Sequence, residues 1–502
     1  MDYRLNEIKT KLEEAHHCLN GYNRDGTQKT HKGVYDEDGI ISFIEGGSQR
    51  RAHYSVLKSM TAALVNPDAF PIEAYTNYDI YPDLYNKAKQ QFCGWGIPES
   101  LAGTLAFANG SIQLFTSFLK SACKEGDILL TGKSFYHAFS PPPYNTRVSL
   151  VSVDTQHDND YKLTATDILN WIDQNPDLTP RGILISNPTP IGALYTEAEL
   201  KDLAECIIRH NLIVYLDAVY KGTEYNGQKH PSLAALPDMD KHVVTVTSPS
   251  KTLGCANLRI GWACGPKSII DKMIKVTVDS VTTICQLNQI GAAEALSTPR
   301  SYCIKNAKEA QKRALLIADL TEKLNAKLRR TYHTPDHLPF IKTEVIPKCG
   351  YSIMLNFPGL KGLRYAENET IKDDLDLTAY LLNYGVGVSP CYSTGFRESC
   401  CVRLAFAEIG QPHARTATNS LEIQENLKTL LDIAAPGQPE LWPQVAKLLN
   451  LDENEAQTEH AVDQAFAATR QVIIAAFEDR IFRALNDLLG FNALDKAVKC
   501  SA

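Results

Sequence analysis

The sequence predicts an α/β protein, in which a large domain with a mostly parallel sheet flanked by helices is followed by a smaller α/β domain and a helical extension. Between about residues 100 and 265, short β-rich apolar runs alternate with amphipathic helical stretches, which is typical of βαβ units. A breaker-rich segment from Ala434 to Pro439 precedes a final stretch of helical pattern. We therefore expect a helical N-terminal arm (1–45), a large domain (46–300), a small α/β domain (301–434) and a helical C-terminal extension (435–502).

Apolar runs of strand length predict the strands of the large sheet, namely Ile128–Thr131, Val148–Val153, Ile183–Ser186, Ile213–Asp217, Val243–Thr247 and Ile260–Cys264. Between two of them, residues 196–210 carry a helical apolar stripe, and Thr196 and Glu199 have capping-box spacing. A long charged helix is predicted over Tyr302–Arg329. In the extension, one apolar stripe should pack on the body of the protein or on a partner subunit, namely Ile481, Phe482, Leu485, Leu488 and Leu489.

Composition excludes several classes of function. The 502 residues carry a net charge of −7, so a broad cationic surface for nucleic acid is not expected. The charged first segment lacks a signal-peptide core and no apolar run reaches the ~18 residues that span a bilayer, so we expect a cytoplasmic protein without membrane contact. Thirteen cysteines are scattered without a CxxC pair or a metal-binding spacing, so no metal site is expected.

Polar residues follow three of the predicted strands. Asn187 follows ILIS, Asp217 closes IVYLD, and Ser248–Lys251 (SPSK) follows VVTVT. In open α/β sheets, ligands bind beyond the carboxyl ends of the strands. One such residue is usually a cap or turn former, but three in register, followed by a lysine and an arginine, indicate a binding site.

These residue types fit the chemistry of pyridoxal 5′-phosphate. That cofactor needs a lysine to form an imine with its aldehyde and a carboxylate against its ring nitrogen, and Lys251 and Asp217 can supply them. Tyr136 is suitably placed to stack on the ring, and Tyr220 to donate to its oxygen. A phosphate cup of helix N-terminus, hydroxyls and guanidinium is predicted from Gly110, Ser111, Ile112, Ser248, Ser250 and Arg259.

Four segments together resemble the class I/II aminotransferases, a family of fold-type I pyridoxal-phosphate enzymes. SPSKTLGCANLRIGWACGP resembles the lysine motif of that family, and YLDAVYKGTEY resembles its aspartate–tyrosine motif. ANGSIQLF resembles its phosphate loop, and CVRLAFAE resembles the late segment whose arginine binds the substrate carboxylate. The resemblance covers roughly residues 40 to 432.

The resemblance implies roles for individual residues. Lys251, Asp217 and Tyr220 are the implied catalytic residues, and Arg403 is implied to bind the α-carboxylate of the substrate. Gly47 lies in the segment that matches the substrate-binding glycines, although adjacent glycines are as often a turn.

Two positions stay open. The segment SNPTPIGALY is one residue shorter than the corresponding loop of the family, so either Asn187 or Thr189 contacts the ring oxygen; we favour Asn187, whose amide can donate to a phenolate. In the implied homodimer, either Tyr75 or Tyr78 reaches the phosphate of the other subunit.

The implied function is that of a pyridoxal-phosphate-dependent aminotransferase of amino-acid metabolism, with an amino acid or keto acid as substrate. Freed Lys251 would move the α-proton. Removal of the α-proton would leave a carbanion on the substrate. The residues account for the formation of this carbanion but not for the reaction that follows, so a lyase, replacement or cyclisation enzyme is the alternative. A cofactor-binding regulator is a third reading, but no segment resembles a DNA-binding module.

Overall fold

The structure, a computed structural model, describes residues 41–44, 52–66, 68, 70–71, 73, 79–227, 230–332, 339–366, 369–396, 399–406, 471, 474–490 and 492. The strands in this part of the chain are β1 (Ile41–Ser42), β2 (Leu105–Ala108), β3 (Ile128–Thr131), β4 (Ser149–Ser152), β5 (Pro180–Ser186), β6 (Ile213–Asp217), β7 (Val243–Thr247), β8 (Gly261–Cys264), β9 (Lys342–Val345), β10 (Ser352–Asn356), β11 (Arg364–Ala366), β12 (Glu369–Thr370), β13 (Val386–Gly387), β14 (Ser389–Pro390) and β15 (Cys401–Ala405).

The α-helices alternate with these strands and cover the sheets. They are Tyr54–Leu64, Pro82–Gly94, Glu99–Ala102, Ser111–Ala122, Pro141–Thr146, Ala165–Gln174, Glu197–Arg209, Lys267–Val281, Gln286–Ala295, Arg300–Tyr332 and Asp374–Asn383, followed by a helical stretch at 474–490.

The large sheet is mostly parallel, as the sequence predicts. Its seven strands lie in the order β2-β8-β7-β6-β5-β3-β4. Neighbours from β7 to β4 are parallel, whereas β8 is antiparallel to both β2 and β7. Each of the six predicted runs forms one of these strands. Sequence reasoning missed β2, a short run of small and apolar residues that is buried throughout.

Both faces of the large sheet are covered, so successive residues of a strand enter opposite cores. On β6, Val214 and Leu216 belong to one hydrophobic cluster, and Tyr215 belongs to the other. The helix Glu197–Arg209 begins with the predicted capping box, in which Thr196 Oγ1 accepts from the backbone N–H of Glu199 and the Glu199 carboxylate accepts from that of Thr196.

The second sheet is antiparallel and has the order β14-β15-β10-β9. The helix Arg300–Tyr332, predicted over Tyr302–Arg329, packs beside it. A buried stripe with spacings of three and four residues forms its inner face, namely Ala307, Ala310, Ala314, Ile317, Leu320, Leu324 and Leu328.

The stripe of the C-terminal extension packs on the same cluster, so that prediction is confirmed. Ile481, Leu485 and Leu488 are buried there, and Phe482 and Leu489 are partly buried. The predicted helical arm is wrong for Ile41 and Ser42, which form β1 and pair in parallel with β13. No helix among the described residues is long and apolar enough to cross a membrane.

Candidate active site

The carboxyl ends of three neighbouring parallel strands gather the polar residues singled out in the sequence. Ser186, the last residue of β5, pairs in register with Asp217, the last residue of β6. The backbone N–H of Asn187 donates to the carbonyl of Asp217 at 3.0 Å, and Ala218 donates to Val246 of β7 at 2.8 Å. The start of the SPSK segment therefore lies beside Asp217.

Asp217 is 3% exposed, and few groups stabilise its charge. Burial raises the pKa of its carboxyl to about 6, and opposing effects come from the Val219 N–H, the Ser186 hydroxyl and the Lys251 charge. Val219 donates to Oδ1 at 3.2 Å, and Ser186 lies 3.5 Å from Oδ2. A cationic ring nitrogen would favour the ionised form of this buried acid. Sequence reasoning missed Ser186, whose role follows only from the β5–β6 register.

Lys251 and Tyr220 face each other at the same edge of the sheet. Lys251 Nζ lies 5.9 Å from the centroid of the Tyr220 ring, and the Lys251 carbonyl accepts a hydrogen bond from Tyr351. Burial raises the pKa of the Tyr220 phenol, and the nearby positive charge of Arg403 acts in the opposite direction. Tyr220 is therefore a neutral donor at neutral pH. Tyr351 is a second residue that the sequence analysis missed.

The start of the helix Ser111–Ala122 faces a guanidinium, as the predicted phosphate cup requires. Its N-cap Gly110 has φ +91°, and a Cβ there would lie 2.8 Å from Arg259 Nη2. Arg259 is itself held in a left-handed conformation with φ +46°, and its Nη1 donates to Ala256. Across the sheet, a Cβ at Gly261 would lie 3.1 Å from the backbone nitrogen of Ser111. Because both positions are glycine, the start of the helix Ser111–Ala122, the strand β8 and the Arg259 guanidinium can approach one another closely.

The other predicted cup residues lie on the same elements. Ser111 and Ile112 open the helix, and the carbonyl of Ser111 accepts from the buried Tyr215 phenol at 2.8 Å. Ser248 is buried directly after β7, and its hydroxyl accepts from the backbone N–H of Ser250 at 3.4 Å. Helix N–H groups and serine hydroxyls are the donors that a phosphate requires.

Two side chains after β3 complete this side of the site. Tyr136, the predicted stacking residue, is half-buried, with its ring 4.8 Å from that of His137. His137 keeps an exposed surface, so only partial desolvation of its imidazolium, together with the positive charges of Arg403 and Lys251, lowers the pKa of this side chain. His137 is thus a neutral group near both cations, and no motif in the sequence pointed to it.

Arg403 reaches the site from the second sheet. It lies on β15, opposite Met354 of β10 and Ser389 of β14. Its Nη2 donates to the carbonyl of Ile44 at 3.4 Å, and its buried Nε has no hydrogen-bond partner among the described residues. A carboxylate would supply the acceptors that this guanidinium lacks.

The loop after β5 contains Asn187 and Thr189, the two candidates for the contact with the ring oxygen, and gives them different hydrogen bonds. Thr189 Oγ1 accepts from the backbone N–H of Ala193 at 2.9 Å, and the two residues also share a backbone hydrogen bond, so this hydroxyl closes its own loop. Asn187 lies directly after β5, and its amide nitrogen is 3.4 Å from the carbonyl of Pro231. The Asn187 Oδ1 lies 3.5 Å from the backbone nitrogen of Tyr195, so both contacts of this amide are long. Gly47, Tyr75 and Tyr78 lie outside the described residues.

Comparison with known proteins identifies the family. The family model described as Aminotransferase class I and II matches residues 52–421. The chain belongs to the class I and II aminotransferase family. Among curated relatives, the aspartate aminotransferase of Pyrococcus abyssi is 28% identical over 194 residues, which cover 38% of this chain and 49% of the relative. The aromatic-amino-acid aminotransferase 2 of Thermococcus litoralis is 26% identical over 196 residues, covering 38% and 49%. The chain therefore spans about half the length of these relatives.

Solved structures of this family have the same fold. The aspartate aminotransferase of Rhizobium meliloti aligns with a TM-score of 0.66 at 20% identity, covering 86% of this chain and 95% of that one. The aromatic aminotransferase of Pyrococcus horikoshii aligns with a TM-score of 0.62 at 20% identity, covering 84% and 98%. The fold is that of the fold-type I aminotransferases.

The described residues fit pyridoxal phosphate in two respects. A phosphate dianion suits the helix start where Gly110 leaves room for the Arg259 guanidinium. A protonated ring nitrogen suits the buried carboxylate of Asp217.

Proposed function

We propose that this chain is a pyridoxal-phosphate-dependent aminotransferase that acts on an amino acid, with Lys251 as the cofactor lysine. One observation carries the proposal: Lys251 lies beside Tyr220 at the strand ends that hold Asp217, and the charge of Arg403 reaches the same tyrosine from the other sheet. The residues that we propose to bind the cofactor and the residue that we propose to bind the substrate thus lie around the phenol of Tyr220.

Each residue has a distinct task in this proposal. When bound, pyridoxal phosphate withdraws electrons from the bonds of the substrate α-carbon through its protonated ring. Asp217 keeps the proton on the ring nitrogen, and Arg403 orients the substrate through two parallel hydrogen bonds to its carboxylate. Lys251 Nζ takes the α-proton and returns it, a role that needs the lysine neutral for one step and charged for the next.

The cofactor residues around Lys251 belong to the same proposal. The phosphate would be held by Gly110, Ser111 and Ile112 of the helix start together with Ser248, Ser250 and Arg259, and in a dimer by Tyr75 or Tyr78. Tyr136 would stack on the ring, and Asn187 and Tyr220 would donate to its oxygen. Gly47 would lie beside the substrate.

A panel of amino acids tests this function. The purified holoprotein is mixed with single amino acids without any keto acid, and the cofactor absorbance and released ammonia are followed. Aspartate and the aromatic amino acids come first, because the two relatives named above carry those substrates in their names. Conversion to the aminated cofactor with one equivalent of keto acid supports the proposal. Catalytic release of ammonia would instead establish the lyase chemistry, which no described contact favours.

We also propose that the protein works as a cytoplasmic homodimer. On the helix Tyr54–Leu64, Leu57 and Leu64 are 41% and 55% exposed, and the adjoining Val65 is 50% exposed. Such apolar residues along one helix suit a subunit interface. Light scattering of the holoprotein tests the dimer, and cell fractionation tests the location.

A further inference from the structure

The C-terminal helix at 474–490 contacts the N-terminal strand beside Arg403. Both segments lie outside residues 52–421, which match the family. Phe477 is 2% exposed and packs on the fully buried Phe43, with ring centroids 4.7 Å apart. One turn further along the helix, Arg480 is 8% exposed, and its Nη1 donates to the carbonyl of Gly385 at 2.8 Å.

The carbonyl that Arg480 binds also anchors the N-terminal strand. Gly385 O accepts from the backbone N–H of Ile41 at 2.7 Å, just before β13. Phe43 donates to Gly387 at 2.7 Å and accepts from Ala405 of β15 at the same distance. Residues 41–44 are therefore held by β13, by β15 and by the ring of Phe477.

This strand leads directly to the guanidinium of Arg403. The carbonyl of Ile44 accepts from Arg403 Nη2 and from the Ser389 hydroxyl, each at 3.4 Å. Arg403 Nε has no hydrogen-bond partner among the described residues, so the Ile44 carbonyl is one of the groups that can fix the orientation of the guanidinium.

We propose that Phe477 and Arg480 are positioning residues for Arg403, which act by fixing strand 41–44 and with it the Ile44 carbonyl. The inference rests on the proposed role of Arg403 in binding the substrate carboxylate. This helix thus sets substrate affinity, although neither Phe477 nor Arg480 is among the residues proposed to bind the cofactor.

Variants at both positions test the proposal. Phe477→Ala and Arg480→Ala should each raise KM for the best amino acid of the panel by about tenfold or more, because displaced binding groups lose much of their effect. The value of kcat and the cofactor absorbance should change less than about twofold. Arg480→Lys, which keeps a donor for the Gly385 carbonyl, should recover most of the affinity.

A matched control separates positioning from general destabilisation. Leu485 is fully buried on the same helix, about two turns from Phe477, and its neighbour Ala484 accepts a hydrogen bond from Tyr380. Leu485→Ala should lower Tm by an amount comparable to that of Phe477→Ala, yet leave KM unchanged.

Hydrogen exchange provides a readout besides activity. In the cofactor-free protein, amides of residues 41–44 should exchange about tenfold faster or more in Phe477→Ala than in Leu485→Ala, because opening of a segment is governed by its own contacts. Equal exchange in the two variants, or a KM that rises equally in both, would overturn the proposal.

The variant Arg403→Lys distinguishes a failure of this inference from a failure of the proposed function. If Arg403→Lys leaves KM unchanged, the proposed role of Arg403 fails. If it raises KM while the Phe477 and Arg480 variants do not, only this inference fails.

Discussion

Two features of the structure require glycine at position 110, namely its backbone conformation and its contact with the Arg259 side chain. Its φ of +91° is a conformation that side chains rarely adopt, and a Cβ would also press on Arg259 Nη2. Gly126 has a similar φ of +87°, but a Cβ there would meet nothing within 4 Å. The two glycines therefore share the backbone strain and differ in their contact with the guanidinium.

Gly110→Ala and Gly126→Ala should each destabilise the protein by about 1–3 kcal/mol, because both force an L-residue into a glycine conformation. Only Gly110→Ala should also lower the affinity for pyridoxal phosphate, by about tenfold or more, since it displaces the guanidinium that we propose to bind the phosphate. Denaturant unfolding and cofactor titration of the two cofactor-free variants measure both effects. Equal cofactor affinity in the two variants would remove Arg259 from the phosphate cup.

The buried Asp217 carboxyl predicts a pH dependence of stability. Its folded pKa is raised from 3.8 to about 6 by burial, so the folded cofactor-free protein holds this proton more tightly than the unfolded chain does. The resulting contribution to stability is present below about pH 4 and is lost as the pH rises to about 6. Asp217→Asn removes this titration.

The difference in free energy of unfolding between Asp217→Asn and the unchanged protein should therefore grow in favour of the variant by on the order of 3 kcal/mol between pH 4 and pH 7. Urea unfolding of both cofactor-free proteins at several pH values measures this difference. The same variant should lose orders of magnitude in turnover, because it removes the charge that we propose to keep the ring nitrogen protonated. A pH-independent difference would mean that the carboxyl is not desolvated.

At the scale of elements, the C-terminal helix is part of the core of the second sheet. Tyr380 donates to the carbonyl of Ala484 at 2.7 Å, Tyr332 donates to that of Asn486 at 2.7 Å, and Lys327 Nζ lies 3.5 Å from the centroid of the Phe482 ring. These contacts join the helix to two others, Arg300–Tyr332 and Asp374–Asn383.

Leu485→Ala should cost about 2–5 kcal/mol of unfolding free energy, because it leaves a cavity in a closed cluster. Arg483→Ala, at an exposed position on the same helix, should cost less than about 0.5 kcal/mol. Chemical denaturation compares the two variants. Equal small losses would show that the helix does not pack on the body of the protein.

The sequence was most informative where the signal is local. Buried parallel strands such as β6 and β7 are continuous apolar runs, and the capping box at Thr196 needs only four residues. By contrast, β1 pairs with β13, which lies far along the chain, so nothing near Ile41 predicts that strand. β2 is only four residues long and apolar throughout, so it carries no polar–apolar alternation that separates a strand from a helix.

The candidate site likewise contains relations that local sequence predicts and relations that depend on distant segments. Asn187, Asp217 and Ser248 could be predicted to meet, because the carboxyl ends of neighbouring parallel strands share one edge of a sheet. The contact of Ser186 with Asp217 depends on strand register, and the proximity of His137 to Arg403 depends on how the second sheet packs. Neither relation is encoded in a short segment.

At the scale of the molecule, the residues proposed to bind the cofactor lie on or beside the large sheet, whereas Arg403 lies on the second sheet. The proposed chemistry then depends on one lysine, because Lys251 alone joins the cofactor groups to the proposed proton transfer. Lys251→Ala should abolish both the cofactor absorbance and nearly all turnover, while Lys267→Ala, at an exposed lysine of the large domain, should retain both.

The most direct measurement is to reduce the holoprotein with borohydride, which makes the link between cofactor and lysine permanent, and to map the labelled peptide by mass spectrometry. The account predicts a single pyridoxyl group on Lys251. A pyridoxyl group on another lysine, or a fully loaded protein that carries no covalent label after reduction, would contradict it.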